Sequence, residues 1–547
     1  MSKLNEPGLQ LHSDVLVIGG GPAAAWAAIA AAERGARVII ADKGYLGTSG
    51  AFAASTSGAK VIPPLKELRD RVKFERYALG GHLSVHAWWD RILDVTFEKA
   101  PKIYEWGGYE APVLDGTPFR GLQGPETMRI MRRQLKKVGV QILDQSPALE
   151  LLVDEEGAVA GARGFQRHAR RSWTVTAGAV VIASGGCAWL SKALGCNTNT
   201  GEGLLMAVEA GAELSGMEFS AHYAPAPKHA SVTKNAYYRY ASFADKDGNI
   251  LEGLTKNGHR STSAIAKELM KGPVFVRFDR GTSDPEYQKM LRMVQPNFMA
   301  AFDRANINPF TDWFEITLVL EGTVRGVGGI RIADDDCGTT VRGLYAAGDA
   351  ATRELNCGGF TGGAGPNMTW AIGSGNIAGA GAAVHALALG SKALNRVYHA
   401  TGKAGLVPAE GNTTPIDAAA IVKGTQDEFL PFERNIFRTE ETLLESLAKL
   451  NQLWKEAQGI PAQENPHQLI RSREAVAILA AARWAYFAGL ERKETRGMHK
   501  RLDYPKLDPA QRHYLAVGGL DTLWTRPVPV AEEVVPEPAR PEAGVHV

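Results

Sequence analysis

Cysteine is scarce in this 547-residue chain: Cys187, Cys196, Cys337 and Cys357 are the full set, and no two form a C-x-x-C pair. That spacing excludes an iron–sulfur cluster or structural zinc held by this chain alone. Buried, reduced thiols are expected instead. A charge excess of one sign is missing too, since 61 Lys and Arg face 59 Asp and Glu. Such a balance points to neither a nucleic-acid partner nor an anionic membrane surface. Also lacking are a run of about 18 uninterrupted apolar residues and, among the first residues, an apolar export core or twin arginine. A soluble, cytoplasmic protein with no membrane span is expected. The length implies two to four domains, and the oligomeric state is left open.

What is present begins at Asp14-Val-Leu-Val-Ile-Gly-Gly-Gly-Pro-Ala-Ala-Ala. Residues 15–18 are continuously apolar, as in a parallel strand covered on both faces. Gly19 allows a tight turn, Gly21 lets a phosphate approach the backbone, and Ala24 takes the third small position of G-x-G-x-x-G/A. The alanine-rich helix that follows can lie close to the sheet, its N-terminal N–H groups free for a pyrophosphate. Asp42 ends a second strand about 20 residues on, where a carboxylate accepts from a ribose hydroxyl. Dinucleotide binding follows, with FAD and a nicotinamide cofactor both open at this point. With no metal site in view, electrons enter or leave through an organic cofactor or a partner.

Residues 44–58, Gly-Tyr-Leu-Gly-Thr-Ser-Gly-Ala-Phe-Ala-Ala-Ser-Thr-Ser-Gly, are small and hydroxylic, suited to tracking a ligand closely. From here the chain resembles the fumarate reductase and succinate dehydrogenase flavoprotein family, which includes L-aspartate oxidase and the adenylylsulfate reductase α subunit. Further matches are Ala179-Val-Val-Ile-Ala-Ser-Gly-Gly, Asn197-Thr-Asn-Thr-Gly-Glu-Gly followed by Met217-Glu-Phe, and Leu344-Tyr-Ala-Ala-Gly-Asp. These raise FAD above NAD. The resemblance implies FAD contacts from Lys43, Thr48, Ser49, Ser55, Thr56, Ser57, Gly58, Ala183, Ser184, Gly185, Glu202, Gly348 and Gly363, with Asp349 on the ribityl chain. In several members a histidine in the small-residue loop bonds covalently to the flavin. This loop has none, so the FAD is expected to be non-covalent.

The expected fold class is α/β, a Rossmann-type FAD-binding domain with an inserted α+β capping domain and a C-terminal helical domain. The boundaries read as FAD domain 12–219 and 325–388, cap 220–324, linker 389–426, helical domain 427–526 and disordered tail 527–547. Residues 148–176 read as a small β-insert, apart from the buried strand at 179–182. In the cap, Gly258-His-Arg-Ser-Thr-Ser resembles the segment whose arginine starts a helix and moves a proton beside flavin N5. The matching position is Arg260. On the residues alone an arginine is a poor base without a relay and reads as structural. The resemblance assigns it to catalysis, with His259 beside it and His222 and Tyr223 as weaker candidates. Arg492-Lys-Glu-Thr-Arg-Gly-Met-His-Lys-Arg-Leu-Asp-Tyr-Pro resembles a late family motif and reads as a docking or packing element.

The resemblance breaks at the dicarboxylate anchors. Family members place a histidine ahead of a glycine pair and an arginine after the Gly-Asp motif, but here 322–329 hold no histidine and 356–363 no arginine. Losing two charge-assisted partners, each about 1.5–3 kcal/mol, argues against fumarate, succinate or aspartate as substrate. Arg325 replaces one anchor only with a shifted loop. The best reading is an FAD-dependent oxidoreductase exchanging hydride with a small-molecule substrate under the cap. Two rivals stand beside it: an adenylylsulfate-reductase-like enzyme with an iron–sulfur partner, and an electron-transfer subunit served by a ferredoxin-like partner without a small substrate of its own.

Overall fold

A computed structural model describes residues 8–55, 57–110, 122–233, 235–256, 259–362, 366–461 and 465–531, with the side chains of 235, 236, 256, 259, 260 and 394 left aside. The chain opens with β1 (Leu9–Ile18), α1 (Pro22–Ala32) and β2 (Val38–Ala41). Next come α2 (Ala51–Ser55), α3 (Lys66–Leu79), α4 (His86–Gly107), α5 (Gly124–Lys137) and β3 (Gln141–Leu143). A meander of β4 (Ala148–Asp154), β5 (Val159–Gln166) and β6 (Arg171–Ile182) leads to α6 (Glu202–Glu209) and β7 (Leu214–Ser215).

β6 corrects the expected separation of β-insert and FAD sheet. It is one 12-residue strand whose first half pairs antiparallel with β5, while residues 173–182 run parallel to β1. The meander is thus continuous with the nucleotide sheet, and one set of backbone hydrogen bonds fixes both.

The cap region carries β8 (Tyr223–Pro227), β9 (Ser242–Ala244), the hairpin β10 (Thr255–Lys256) and β11 (His259–Arg260), then α7 (Thr262–Lys271) and β12 (Val274–Arg277). α8 (Pro285–Val294), α9 (Pro296–Ala305) and β13 (Phe314–Leu320) complete it. Its antiparallel sheet has the order β8-β13-β12-β9. Phe278 forms the centre of its core, with ring centroids of Tyr238 and Phe314 at 5.4 and 5.3 Å in edge-on geometry, the arrangement ring quadrupoles favour. Arg260 lies in hairpin strand β11 and does not start the helix. Ser261 caps α7 by accepting from the Ala264 amide, the usual work of serine at that position.

The chain returns through α10 (Gly322–Arg325), β14 (Gly329–Ile330), β15 (Leu344–Ala346), α11 (Glu354–Cys357) and α12 (Pro366–Leu389). β15 joins the nucleotide sheet beside β6. α12 is long and apolar enough to cross a membrane, yet 61% of its apolar window is buried within the protein. It packs on α1 at very short range. A Cβ on Gly375 would lie 2.6 Å from the Ala23 carbonyl oxygen, and one on Gly379 only 2.1 Å from that of Ala27. Alanine on one helix and glycine on the other therefore set the crossing distance.

The expected linker holds structure. β16 (Tyr398–Ala400) adds to the edge of β4, and α13 (Ala418–Phe429) begins inside the linker. α14 (Phe432–Asn435), α15 (Glu440–Glu456) and α16 (Pro466–Glu491) follow. The last region is not wholly helical: β17 (His513–Gly518) and β18 (Trp524–Pro529) form a hairpin, and β17 pairs with β7. Residues 527–529, expected in a disordered tail, are part of β18. Their prolines fit because β18 is an edge strand, where a missing N–H donor is tolerated.

Candidate functional site

Three separate stretches of chain meet in one cleft with an empty volume of about 1210 Å³, open mouth included. Its floor is the turn between β1 and α1. Gly19 has φ of +125°, and a Cβ there would sit 2.3 Å from the Ala183 carbonyl oxygen, so only glycine fits. Gly20 was missed on sequence, though three glycines in a row were the signal: its Cβ would fall 2.3 Å from an Asp42 carboxylate oxygen. Around Gly21 the space is open, with nothing within 4 Å of a Cβ. Gly21 is also the N-cap of α1 and offers no side-chain cap. The helix therefore presents uncapped N–H groups and positive partial charge to the cleft.

At one end, Asp42 is buried and accepts from the Ser49 hydroxyl. Burial pushes its carboxyl above the usual range. Lys43 beside it is clasped by Glu202, with Glu474 at 2.8 Å on its other side. Gly185, with φ of +79°, lies against Asn199, whose Oδ1 is buried without a hydrogen-bond partner.

At the other end stand Gly348 and Asp349. The Ser374 hydroxyl lies 3.0 Å from the Gly348 amide and accepts its proton, while the Trp370 indole donates to the Gly348 carbonyl at 2.9 Å. Asp349 is paired with Arg353 at 3.1 Å, and burial raises its carboxyl against the pull of Arg353 and Arg325. Arg353 escaped the sequence reading. Its spacing, four residues after Asp349, was the available signal. Fully buried, it donates to the carbonyls of Thr323 at 2.8 Å and Val324 at 2.9 Å and to Asn367 at 2.6 Å. One guanidinium thus braces the α10 turn against the Gly-Asp loop.

Of the expected cofactor residues, Gly19, Gly21, Asp42, Lys43, Ser49, Ser55, Ser57, Ala183, Ser184, Gly185, Glu202, Gly348 and Asp349 line this cleft. Ala24 does not, being buried in α1. Thr48 and Gly58 are exposed and lie outside the cleft wall; the Thr48 hydroxyl donates to the Tyr45 carbonyl. Thr56 and Gly363 fall outside the described residues, as do the side chains of Arg260 and His259. His222 sits 3.5 Å from Glu321. Tyr223 points elsewhere, donating to the Leu430 carbonyl at 2.9 Å, a structural tie to the C-terminal helices.

The 492–505 motif is also removed from the cleft wall. Arg492 pairs with Glu218 at 2.8 Å and Glu494 at 3.0 Å, all three fully buried. His499 lies 2.9 Å from Arg438, and burial with that neighbour holds its imidazole far below its ordinary value. All four cysteines are free and buried, and among the described residues no cluster of three His, Cys, Asp or Glu could hold a metal.

An FAD binding domain model matches residues 14–119 and 107–365, and a fumarate reductase flavoprotein C-terminal model matches 429–537. The chain belongs to the fumarate reductase flavoprotein family. The fumarate reductase flavoprotein subunit of Mycobacterium tuberculosis is 25% identical over 92% of this chain and 94% of its own. L-aspartate oxidase of Mycobacterium bovis is also 25% identical, over 93% and 96%. In fold, Escherichia coli quinol fumarate reductase superposes with a TM-score of 0.79 at 20% identity, covering 97% of this chain and 99% of its own. Adenylylsulfate reductase of Archaeoglobus fulgidus gives 0.74 at 18%, covering 96% and 97%. Like the family, this flavoprotein is an FAD-dependent oxidoreductase with FAD as its cofactor. The cleft suits that group. It has uncapped helix amides for a pyrophosphate, an orphaned Asn199 oxygen to be satisfied, and carboxylates at both ends for sugar hydroxyls.

Proposed function

We propose that this flavoprotein oxidises or reduces a small substrate held between the Asp349 end of the cleft and the cap. Bound FAD, held non-covalently, supplies the hydride chemistry at its N5. The convergence of three chain segments on one cleft beneath an inserted cap carries this reading. The cap contacts segments beside the cleft: the Asn297 amide on α9 donates to the Ala54 carbonyl at 2.7 Å, next to the lining residues Ala53 and Ser55, and Gln123 donates to the Val294 carbonyl at the end of α8. Gly19 to Gly21 and the start of α1 bind phosphate, Asp42 holds the ribose, and Asp349 orients the ribityl chain. The cap excludes water. Arg260, with His259 beside it, carries the proton to or from the substrate. This assignment rests on the family motif and on the hairpin that sets both residues ahead of the capped helix α7.

Relatives with dicarboxylate chemistry lend no substrate here, because 322–329 lack histidine and 356–363 lack arginine. The adenylylsulfate-reductase-like reading, with electrons passing to an iron–sulfur or ferredoxin-like partner, is the second proposal; the likeness to the Archaeoglobus enzyme supports its fold alone.

The test is anaerobic stopped-flow spectroscopy of the holoprotein against carboxylates, amino acids, sulfur oxyanions and sulfonates, for wild type and Arg260→Ala. Bleaching of the flavin by one compound, slowed in the variant by about 10²-fold or more, is expected. Reduction by a ferredoxin alone, with no compound active, sinks the small-substrate reading and leaves the electron-transfer subunit.

A further inference from the structure

The described residues lining the cleft include two cations, Lys43 and Arg325. Lys43 is already neutralised by Glu202 and Glu474. Arg325 is different. It stands at the Asp349 end, on the α10 turn, and its ion pair is to Glu321, with Nε 3.3 Å from Oε1. That carboxylate also accepts from the Thr233 hydroxyl at 2.6 Å and faces His222 at 3.5 Å. Its Oε1 is therefore shared between the Thr233 hydroxyl and Arg325. Neither terminal nitrogen of Arg325 makes a hydrogen bond among the described residues, and the side chain is 19% exposed.

The turn beneath it is rigid. Arg353 grips the Thr323 and Val324 carbonyls, and the Thr361 hydroxyl donates to the Arg325 carbonyl. Asp349, the nearby acid, is taken up by Arg353. What remains is one guanidinium in the cleft wall on a held turn, a group whose fork matches a single oxyanion in bidentate fashion.

We infer that Arg325 anchors the substrate, and that the substrate carries one oxyanion group rather than two, since Arg260 is kept for the proton and the described lining residues hold no cation besides Lys43 and Arg325. This rests on the oxidoreductase reading above and adds the substrate's charge class to it. Glu321 acts as the positioning residue that fixes the guanidinium plane from behind.

Perturbation of the flavin absorbance of the holoprotein, titrated with acetate, methanesulfonate and succinate, tests the inference without turnover. Wild type is expected to show saturable binding of acetate or methanesulfonate, the pair separating carboxylate from sulfonate preference, and succinate gains no more than a few-fold over acetate. Arg325→Ala weakens the monoanion by at least about tenfold with its flavin content intact, and Arg325→Lys restores part of the loss. Equal affinity in wild type and Arg325→Ala overturns the assignment. So does succinate binding tenfold tighter than acetate, which reveals a second anchor. Should Arg325→Ala lose flavin while anion affinity per bound flavin holds, the arginine serves the cofactor and the inference fails. Wild-type protein that binds flavin but no anion ends the anchor alone, whereas wild type without flavin ends the oxidoreductase reading as well.

Discussion

The nucleotide cleft and the network around residues 492–503 use the same strong polar groups to opposite ends. In the cleft, the α1 amides and Asn199 Oδ1 stand without protein partners. In the network, Arg438, Arg492, Arg496 and Arg501 are at most 1% exposed, and each donates to carboxylates, carbonyls or a histidine of the protein itself. A buried charge is therefore no signature of function in this chain. An unpaired polar atom is a marker only where it borders an open cleft, as Asn199 Oδ1 does, because Glu218 Oε2 and Glu354 Oε2 are also unpaired inside the buried network.

That contrast can be broken from either side. The largest effect is expected from Arg492→Ala, which strands Glu218 without its cation and leaves Glu494 to Arg496 alone. Removing one partner from a buried pair costs about 3–5 kcal/mol, to be read from urea denaturation. Next is Gly19→Ala. Forcing a side chain onto φ of +125° costs about 1–3 kcal/mol of backbone strain, and the Ala183 carbonyl stands in the way. The expected outcome is at least tenfold weaker flavin retention, measured as the flavin-to-protein ratio after gel filtration, with the arginine network unaffected.

A third test uses the flaw in the network. Glu354 lies buried with Oε2 unpartnered, and burial, with Glu218 adding to it, pushes its carboxyl from 4.5 up to about 8. The folded protein then keeps a proton that the unfolded chain gives up. The stability this group contributes is complete below about pH 4.5 and is lost as pH rises through about 8. Glu354→Gln is expected to flatten that decline, seen as a smaller difference between denaturation midpoints at the two ends of the interval; an unchanged slope assigns the decline to other groups. The smallest effect belongs to Arg37→Ala. Its pair with Asp14 at 2.8 Å is surface-exposed on the arginine side at 65%, so a loss of no more than about 1 kcal/mol is expected.

Much of this was legible in the sequence where one residue type answers one local demand. The apolar run 15–18, the glycine turn and the alanine helix announced β1 and α1. Thirteen of the residues named for the cofactor share one cleft for the same reason. What stayed hidden depends on partners distant along the chain. The joining of the meander to the nucleotide sheet rests on residues 173–182 of β6 pairing with β1. Arg353 looks like any surface arginine until the α10 carbonyls fold over it. Pro527 and Pro529 read as disorder because their composition does, and only the free edge of β17 makes them strand.

That hairpin has a consequence for how the protein is made. Tyr514 donates to the Leu83 carbonyl across 431 positions, and Arg496 donates to the Gly81 carbonyl across 415. At the ribosome's pace, roughly 20–90 s separate the emergence of Leu83 from that of its partner. During that interval the Gly81 and Leu83 carbonyls wait for their partners, as does the one edge of β7 that β14 does not take. A chain that stops before Arg496 leaves the Gly81 and Leu83 carbonyls without these partners, although β1, β2 and β6 can still pair.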